Sequence, residues 1–204
     1  MIPLLVTRAA DEAEALCARL GPHAVAAPCL AFQPLAAPRP DAPGADLLVT
    51  SPRAVLGLVA AGLDPTWRVL ALSPRTDAAV RAAGLPVHLA RPGGAADLAA
   101  AARPDAPVIA ATSDLGGDEV RRVRPDARLW VLYRTCTPAS LPPAARAVLT
   151  GPFDVLFTSP SAVAGFERLA PGALHRARRR LCHGGTTLDA VAARGAVGEP
   201  FSLP

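Results

Sequence analysis

A chain of 204 residues, 51% of them hydrophobic, is long enough to bury the cores of two small domains and is not a disordered tail. Its apolar runs are far shorter than the roughly 20 residues that span a bilayer, and its N-terminus has no signal-peptide core, so we expect a soluble, cytoplasmic protein without a membrane helix. All 21 basic residues are arginine, which excludes lysine chemistry such as Schiff-base formation, and the net charge of +4 favours acidic partners.

The first predicted element in chain order is a strand followed by a helix. Residues 3–21 read PLLVTRAADEAEALCARLG, an apolar run that gives way to a helical pattern ending at Gly21. A Pro-rich connector at 34–44 comes next, and the following apolar run ends in Thr-Ser-Pro. Because serine is a favoured N-cap and proline fits the first helical position, Ser51 is predicted to lie where a strand ends and a helix begins.

Two further strand-helix units are predicted in the first two thirds of the chain. One combines a strand from Arg68 to Leu72 with a helix from Arg75 to Ala83. The other is PVIAATSDLGGDEVRRV at 107–123, whose acidic residues are interpreted as the start of a helix rather than as paired catalytic acids, since acids there complement the helix dipole.

The last third of the chain repeats earlier segments. DVLFTSPSAV at 154–163 is identical to DLLVTSPRAV at 46–55 in seven of ten positions. LCHGGTTLDAVAARG at 181–195 aligns with LALSPRTDAAVRAAG at 70–84, and a helix is predicted from Thr187 to Arg194. A repeat of about 110 residues is too long for a solenoid and indicates duplication of a whole domain.

Repeated strand-helix units with short buried strands predict an α/β fold with doubly wound parallel sheets covered by helices on both faces. Two Pro-rich connectors interrupt the pattern, which divides the chain into two domains. Residues 38–132 are predicted to form a continuous inserted domain, residues 1–33 and 137–204 a discontinuous one, and residues 34–37 and 133–136 the two linkers of a double hinge.

The repeated turns are candidate anion-binding sites. Ligands of parallel α/β sheets bind beyond the carboxyl ends of the strands, where helix N-termini offer free N–H groups and partial positive charge. Ser51 and Ser159 follow two strands in this way, and the turns at 73–76 and 184–187 follow two more. Each hydroxyl could equally serve only as the cap of its own helix. If the turns face one cleft, they suit a small ligand with several carboxylates.

The chain contains an N-terminal VTR before an acidic helix, two TSPxxAV turns, two GxxT-like turns and a linker YRT. Together these motifs resemble the uroporphyrinogen-III synthase family over essentially the whole chain. The resemblance implies two flavodoxin-like domains joined by a two-stranded hinge, with the linear tetrapyrrole hydroxymethylbilane in the cleft. It also implies cyclisation with loss of water and inversion of the last pyrrole ring, ring D, without a cofactor or a metal.

The same resemblance assigns roles to residues of this chain. Tyr133 matches the linker tyrosine, the best candidate for interaction with the departing hydroxyl and thus the predicted catalytic residue. The predicted substrate-binding residues are Arg8, Ser51, Ser73, Thr76, Ser159, Ser161, Gly184 and Thr187. The first GxxT-like turn lacks the family glycine, because it reads Ser-Pro-Arg-Thr. A monomer that binds neither nucleic acid nor membrane is expected.

Two other functions stay open at this stage. A non-catalytic binding or regulatory protein for a polycarboxylate would keep the fold and the anion turns without turnover. A nucleic-acid binder would use the arginine cluster at 176–180, although such a cluster is more often a solvated edge. Trp67 and Trp130 are interpreted as packing residues rather than stacking platforms, because no basic and aromatic residues alternate around them.

Overall fold

The structure is a computed structural model that describes residues 1–90 and 93–203. The chain divides into two compact units. Unit 1 contains Met1–Ala31 together with the residues from Cys136 onward, and unit 2 is Phe32–Thr135. Residues 34–37 and 133–135 belong to unit 2 by their contacts, and the domain limits expected from the sequence stay a prediction.

Strands and helices alternate along most of the described chain. The strands are β1 (Leu4–Val6), β2 (Ala24–Ala26), β3 (Ala31–Pro34), β4 (Asp46–Val49), β5 (Arg68–Ala71), β6 (Leu89–Ala90), β7 (Val108–Ser113), β8 (Arg128–Cys136), β9 (Asp154–Phe157), β10 (Arg180–Cys182) and β11 (Glu199–Pro200). The helices are α1 (Ala10–Leu20), α2 (Val55–Ala61), α3 (Pro74–Ala82), α4 (Ala95–Ala100), α5 (Asp118–Val123), α6 (Pro143–Val148), α7 (Pro160–Leu169), α8 (Ala173–Arg176) and α9 (Gly185–Ala192). A 3₁₀ turn at Pro52–Ala54 leads into α2.

The sheet of unit 1 has the strand order β11-β10-β9-β1-β2, and its neighbouring strands run parallel. Successive side chains of a strand point to opposite faces. In β9, Val155 and Phe157 therefore join the core beneath α7, where Phe157 meets Phe166 edge to face at 5.5 Å. Leu156 joins the opposite core with Leu16 of α1. Both faces of this sheet are buried, as predicted.

The sheet of unit 2 has the order β3-β8-β7-β4-β5-β6, with β4 parallel to both β5 and β7. Leu47 of β4 lies in the core on one face and Leu48 in the core on the other. Trp67 and Trp130 are each 3% exposed and meet edge to face at 5.8 Å, which confirms that they are packing residues. The predicted α/β class with parallel sheets is confirmed.

A buried carboxylate holds the amino end of the sheet of unit 2. Asp46 is 0% exposed, and its carboxylate accepts hydrogen bonds from the Arg103 backbone N–H at 2.7 Å and from the Arg68 guanidinium at 2.9 Å. The Arg103 guanidinium also approaches it to 2.7 Å. Burial alone would raise the pKa of Asp46, but these hydrogen bonds outweigh burial and hold its pKa below the ordinary value.

The predicted serine caps are present. The Oγ atoms of Ser51, Ser73 and Ser159 each accept a backbone N–H of the first helical turn at 3.2 Å, and a proline follows each serine. Because proline needs no N–H at the first helical position, α3 begins at Pro74, one residue before the predicted start. The helix predicted from Thr187 begins at Gly185.

The segment from Tyr133 to Cys136 is a strand rather than an irregular connector. It continues β8, which pairs with β7 across a register shift between Thr112 and Ser113. The backbone N–H of Asp114 then donates to the Tyr133 carbonyl at 3.1 Å, which fixes the end of β7 against the middle of β8. The Pro-rich segment begins only after Cys136, and the expected role of residues 133–136 as a hinge linker stays a prediction.

Candidate functional site

A cavity of about 500 Å³ lies at the carboxyl ends of the strands of unit 2. The turn after β4 contributes Thr50 and Ser51, and α5 contributes three charged residues. The end of β7 and the loop after it contribute residues 112–113 and 115–117. Tyr133 of β8 completes the wall. This is the edge at which parallel α/β sheets bind ligands.

Tyr133, the single tyrosine of the chain, has 8% of its surface exposed. Its ring meets Phe32 edge to face at 5.9 Å, so packing fixes its orientation. The phenol oxygen is not fully enclosed and has no hydrogen-bond partner among residues 1–90 and 93–203. A hydroxyl with unused hydrogen-bonding capacity, carried by a buried side chain beside a cavity, is a group available to a ligand.

Thr112 presents a second hydroxyl to the same cavity. It is 3% exposed, and its Oγ1 makes no hydrogen bond with any residue that the structure describes. A Cβ on Gly116 would collide with this Oγ1, so a glycine at 116 is required to leave the hydroxyl uncovered. Gly117 has φ +107°, a conformation that side chains rarely adopt, and the loop therefore depends on both glycines.

The predicted substrate residues of unit 2 divide into two groups. Ser51 lines the cavity with Tyr133, although its Oγ is engaged as a cap by the Arg53 N–H. Ser73 and Thr76 are outside the cavity wall: their hydroxyl oxygens bond to each other at 3.0 Å, and Thr76 is 1% exposed. These two side chains close the first turn of α3, and their role in substrate binding stays a prediction.

In unit 1 the predicted residues all lie at the carboxyl edge of the sheet. Arg8 follows β1 and pairs with Glu12 at 3.0 Å, whereas Ser159 and Ser161 belong to the turn after β9. Because the strands are parallel, these side chains share one edge. Ser159 accepts the Ala162 N–H as the cap of α7, in keeping with the capping interpretation.

The glycine turn after β10 combines an open backbone with a buried threonine. Gly184 has φ +88°, and an added Cβ there would meet nothing within 4 Å. Thr187 is 1% exposed, and its Oγ1 donates to the His183 carbonyl at 2.9 Å. The threonine therefore closes the turn, while the accessible surface is the backbone of Gly184 and Gly185.

Sequence reasoning missed part of the cavity wall. Residues 107–123 were interpreted as a strand followed by a helix start, and Asp118 and Glu119 do occupy the first turn of α5. The same stretch also supplies Thr112 and Arg122 to the cavity. A Thr-Ser pair at a strand end, followed by Gly-Gly, is the signal that could have identified it.

The cysteine thiols of the described chain lie outside the wall of this cavity. Burial raises the pKa of the Cys29 thiol to about 12, so this cysteine stays protonated. Within residues 1–90 and 93–203, no three His, Cys, Asp or Glu side chains are grouped closely enough to hold a metal ion. No helix of these residues is both long and apolar enough to cross a bilayer.

Two solved structures similar to this chain are described as uroporphyrinogen III synthases or synthetases. A uroporphyrinogen-III synthetase from Helicobacter pylori matches with a TM-score of 0.67 at 16% identity, covering 98% of this chain and 92% of that one. A mutant uroporphyrinogen III synthase from Thermus thermophilus matches with a TM-score of 0.60 at 19% identity, with the same coverage of 98% and 92%. At these identities the two structures show a shared fold.

Among curated protein sequences, none is a significant match to the chain. The sequence profile described as uroporphyrinogen-III synthase HemD matches residues 11–196, well over half of the chain. The motif order, the α/β fold and this match lead to one conclusion: the chain belongs to the uroporphyrinogen-III synthase family.

Proposed function

We propose that this protein cyclises hydroxymethylbilane to uroporphyrinogen III, with loss of water and inversion of ring D, a step of porphyrin and heme biosynthesis. The family match over residues 11–196 carries the proposal. The unpartnered hydroxyl of Tyr133 beside the cavity of unit 2 supports it from the geometry, because the reaction must release a hydroxyl group as water.

Tyr133 is the proposed catalytic residue. When the C–O bond of the hydroxymethyl group breaks, the electron pair leaves with oxygen, and this oxygen needs a proton to depart as water. A phenol donating a hydrogen bond to that oxygen stabilises the developing charge. Its ring is held by Phe32, so the hydroxyl is positioned before the substrate arrives.

The second task of the enzyme is to hold a flexible, multiply charged chain in one reactive geometry. Arg8, Ser51, Ser159, Ser161 and Gly184 are the proposed contacts for its carboxylates, because they lie at carboxyl ends of strands. The accessible backbone of Gly184 supports this assignment most directly, since no side chain covers it.

Ser73, Thr76 and Thr187 are proposed to act by positioning. Their side chains are occupied by the hydrogen bonds that close two turns. The turns in question begin α3 and α9, so loss of these bonds would displace the backbone groups there.

We further propose a flavodoxin-like, hinged two-domain architecture. The order β2-β1-β9-β10-β11 in unit 1 supports it, because counted within the unit it is the 2-1-3-4-5 order of flavodoxin-like sheets. The chain passes between the units at β3 and β8, which are neighbours in one sheet. The proposed domain limits are 1–33 with 137–204 and 38–132.

The enzyme is proposed to be a cofactor-independent hydro-lyase and a cytoplasmic monomer.

The production of the type III isomer tests the proposed activity. Purified protein, treated with EDTA and desalted, is supplied with freshly made hydroxymethylbilane, and the oxidised products are separated by isomer. We expect the type III isomer without any addition. If only the type I isomer of unaided closure forms, with or without restored metal, the proposed activity is wrong. Binding of uroporphyrinogen-like polycarboxylates without isomer-selective closure would instead support a binding protein.

A further inference from the structure

Thr112 of β7 and Arg122 of α5 lie in the wall of the same cavity and share an unused capacity to donate hydrogen bonds. Thr112 is only 3% exposed, yet its hydroxyl has no hydrogen-bond partner among the described residues. Arg122 likewise makes no hydrogen bond or ion pair within residues 1–90 and 93–203. Arg68 and Arg124, in contrast, each hold a carboxylate at 2.8–2.9 Å.

Arg122 is the only cation that the described part of this wall provides, beside two carboxylates. Asp118 and Glu119 line the cavity as well, one helical turn before it on α5. At spacings of three and four residues they could pair with Arg122, but neither lies within ion-pair distance. Without the guanidinium, the described wall would present two carboxylates and no cation, and it would repel an anionic ligand.

We propose that Arg122 and Thr112 form a subsite for one carboxylate arm of the ligand. The guanidinium pairs with the carboxylate, and the Thr112 hydroxyl donates a hydrogen bond to it. Gly116 keeps this hydroxyl uncovered, since any Cβ there would occupy the space in front of Oγ1. The subsite rests on the proposed function, which identifies the ligand as the linear tetrapyrrole.

Neighbouring positions on α5 provide a matched control. Arg121 and Arg122 are both exposed, but only Arg122 lies in the cavity wall, so Arg121→Gln removes the same charge from the same helix without touching the subsite. Binding is measured by calorimetric titration under nitrogen with uroporphyrinogen I. This octacarboxylate is already cyclised, so the heat reports binding without turnover. We expect Arg122→Gln to raise Kd about tenfold, the loss of one charge-assisted hydrogen-bonded pair. Arg121→Gln should change Kd less than about twofold.

A substitution that removes only the hydroxyl separates ligand binding from structure. Thr112→Val replaces an unpartnered buried hydroxyl by a methyl group, so the unfolding temperature of the variant should equal or exceed that of the wild type. Its Kd for uroporphyrinogen I should rise about threefold, because the donor is lost. A threonine with a purely structural role would show the opposite pattern: lower stability and unchanged Kd.

The results distinguish the two proposals. If Arg122→Gln and Arg121→Gln weaken binding equally, or the wild type does not bind uroporphyrinogen I, the subsite is refuted whatever the isomer assay shows. If Arg122→Gln alone weakens binding while the wild type yields only type I isomer, the subsite stands and the enzymatic proposal fails. Glu119→Gln should tighten binding, since it removes a negative charge from the wall; weaker binding would also count against the subsite.

Discussion

Replacement of the Tyr133 hydroxyl by hydrogen is the sharpest test of the proposed chemistry. Tyr133→Phe keeps the ring and hence the edge-to-face contact with Phe32 at 5.9 Å. The hydroxyl has no partner among the described residues, so its removal breaks no hydrogen bond that they make. The variant should therefore differ from the wild type in one unused polar group beside the cavity.

The stability and the activity of this variant should change in different ways. A buried polar group without a partner costs about 1–3 kcal/mol, but this hydroxyl is open to the cavity. The free energy of unfolding of unit 2 should thus change by less than about 1 kcal/mol, toward greater stability. A positioned acid or hydrogen-bond donor contributes about 10²–10⁴-fold to a rate, and a phenol is weak, so kcat should fall about tenfold to a hundredfold. KM should stay within about twofold, because the contact is made in the transition state.

The assay measures initial rates of type III isomer formation against hydroxymethylbilane concentration, corrected for unaided closure to type I. Tyr133→Leu is the companion variant, because it also removes the ring packed on Phe32. It should lose about 1–3 kcal/mol of stability but no more kcat than the phenylalanine variant. An unchanged kcat in Tyr133→Phe would remove the phenol from the chemistry, and a raised KM with unchanged kcat would make it a binding group.

Three other expectations concern the framework of the site. Asp46→Asn should destabilise unit 2 by about 1–3 kcal/mol in urea unfolding, because a buried carboxylate loses its charge-assisted hydrogen bonds. Asp126→Asn is the control and should have little effect, because Asp126 is exposed and its ion pair with Arg124 lies at the surface. Since the folded-state pKa of Asp46 is lowered, its stabilisation is present above about pH 4 and lost as pH falls further, and Asp46→Asn should flatten the acid limb of the unfolding profile. Gly165→Ala should lower the unfolding temperature of unit 1, since its Cβ would collide with the Cys29 carbonyl oxygen; an unchanged temperature would show that α7 can move aside.

The amino-acid sequence determined the local signals of this protein. Ser51 and Ser159 were predictable as caps because a cap depends on a few adjacent residues, and both accept the expected N–H groups. The repeat at 46–55 and 154–163 predicted two similar strand-helix corners, and both occur at the start of helical segments. The parallel α/β class followed from the same short buried strands.

The repeat could not reveal how its two copies differ in their surroundings. Asp46 and Asp154 occupy matching positions, but only Asp46 is held by two arginines. Oδ1 of Asp154 is buried without a hydrogen-bond partner among the described residues, and Arg180, which matches Arg68, donates instead to the carbonyl of Leu174 at 2.7 Å. Identical residues acquired different roles because their partners come from elements that are distant in the sequence.

Tertiary structure alone decided which hydroxyls beside the cavity have no hydrogen-bond partner among the described residues. From the motif pattern, Thr76 and Thr187 were candidates for contact, yet both side chains are buried in the turns that they close. Thr112 and Tyr133 became neighbours in one cavity because β7 and β8 pair with a shifted register. No local pattern encodes that shift, since it depends on how two strands separated by a helix pack on a shared core.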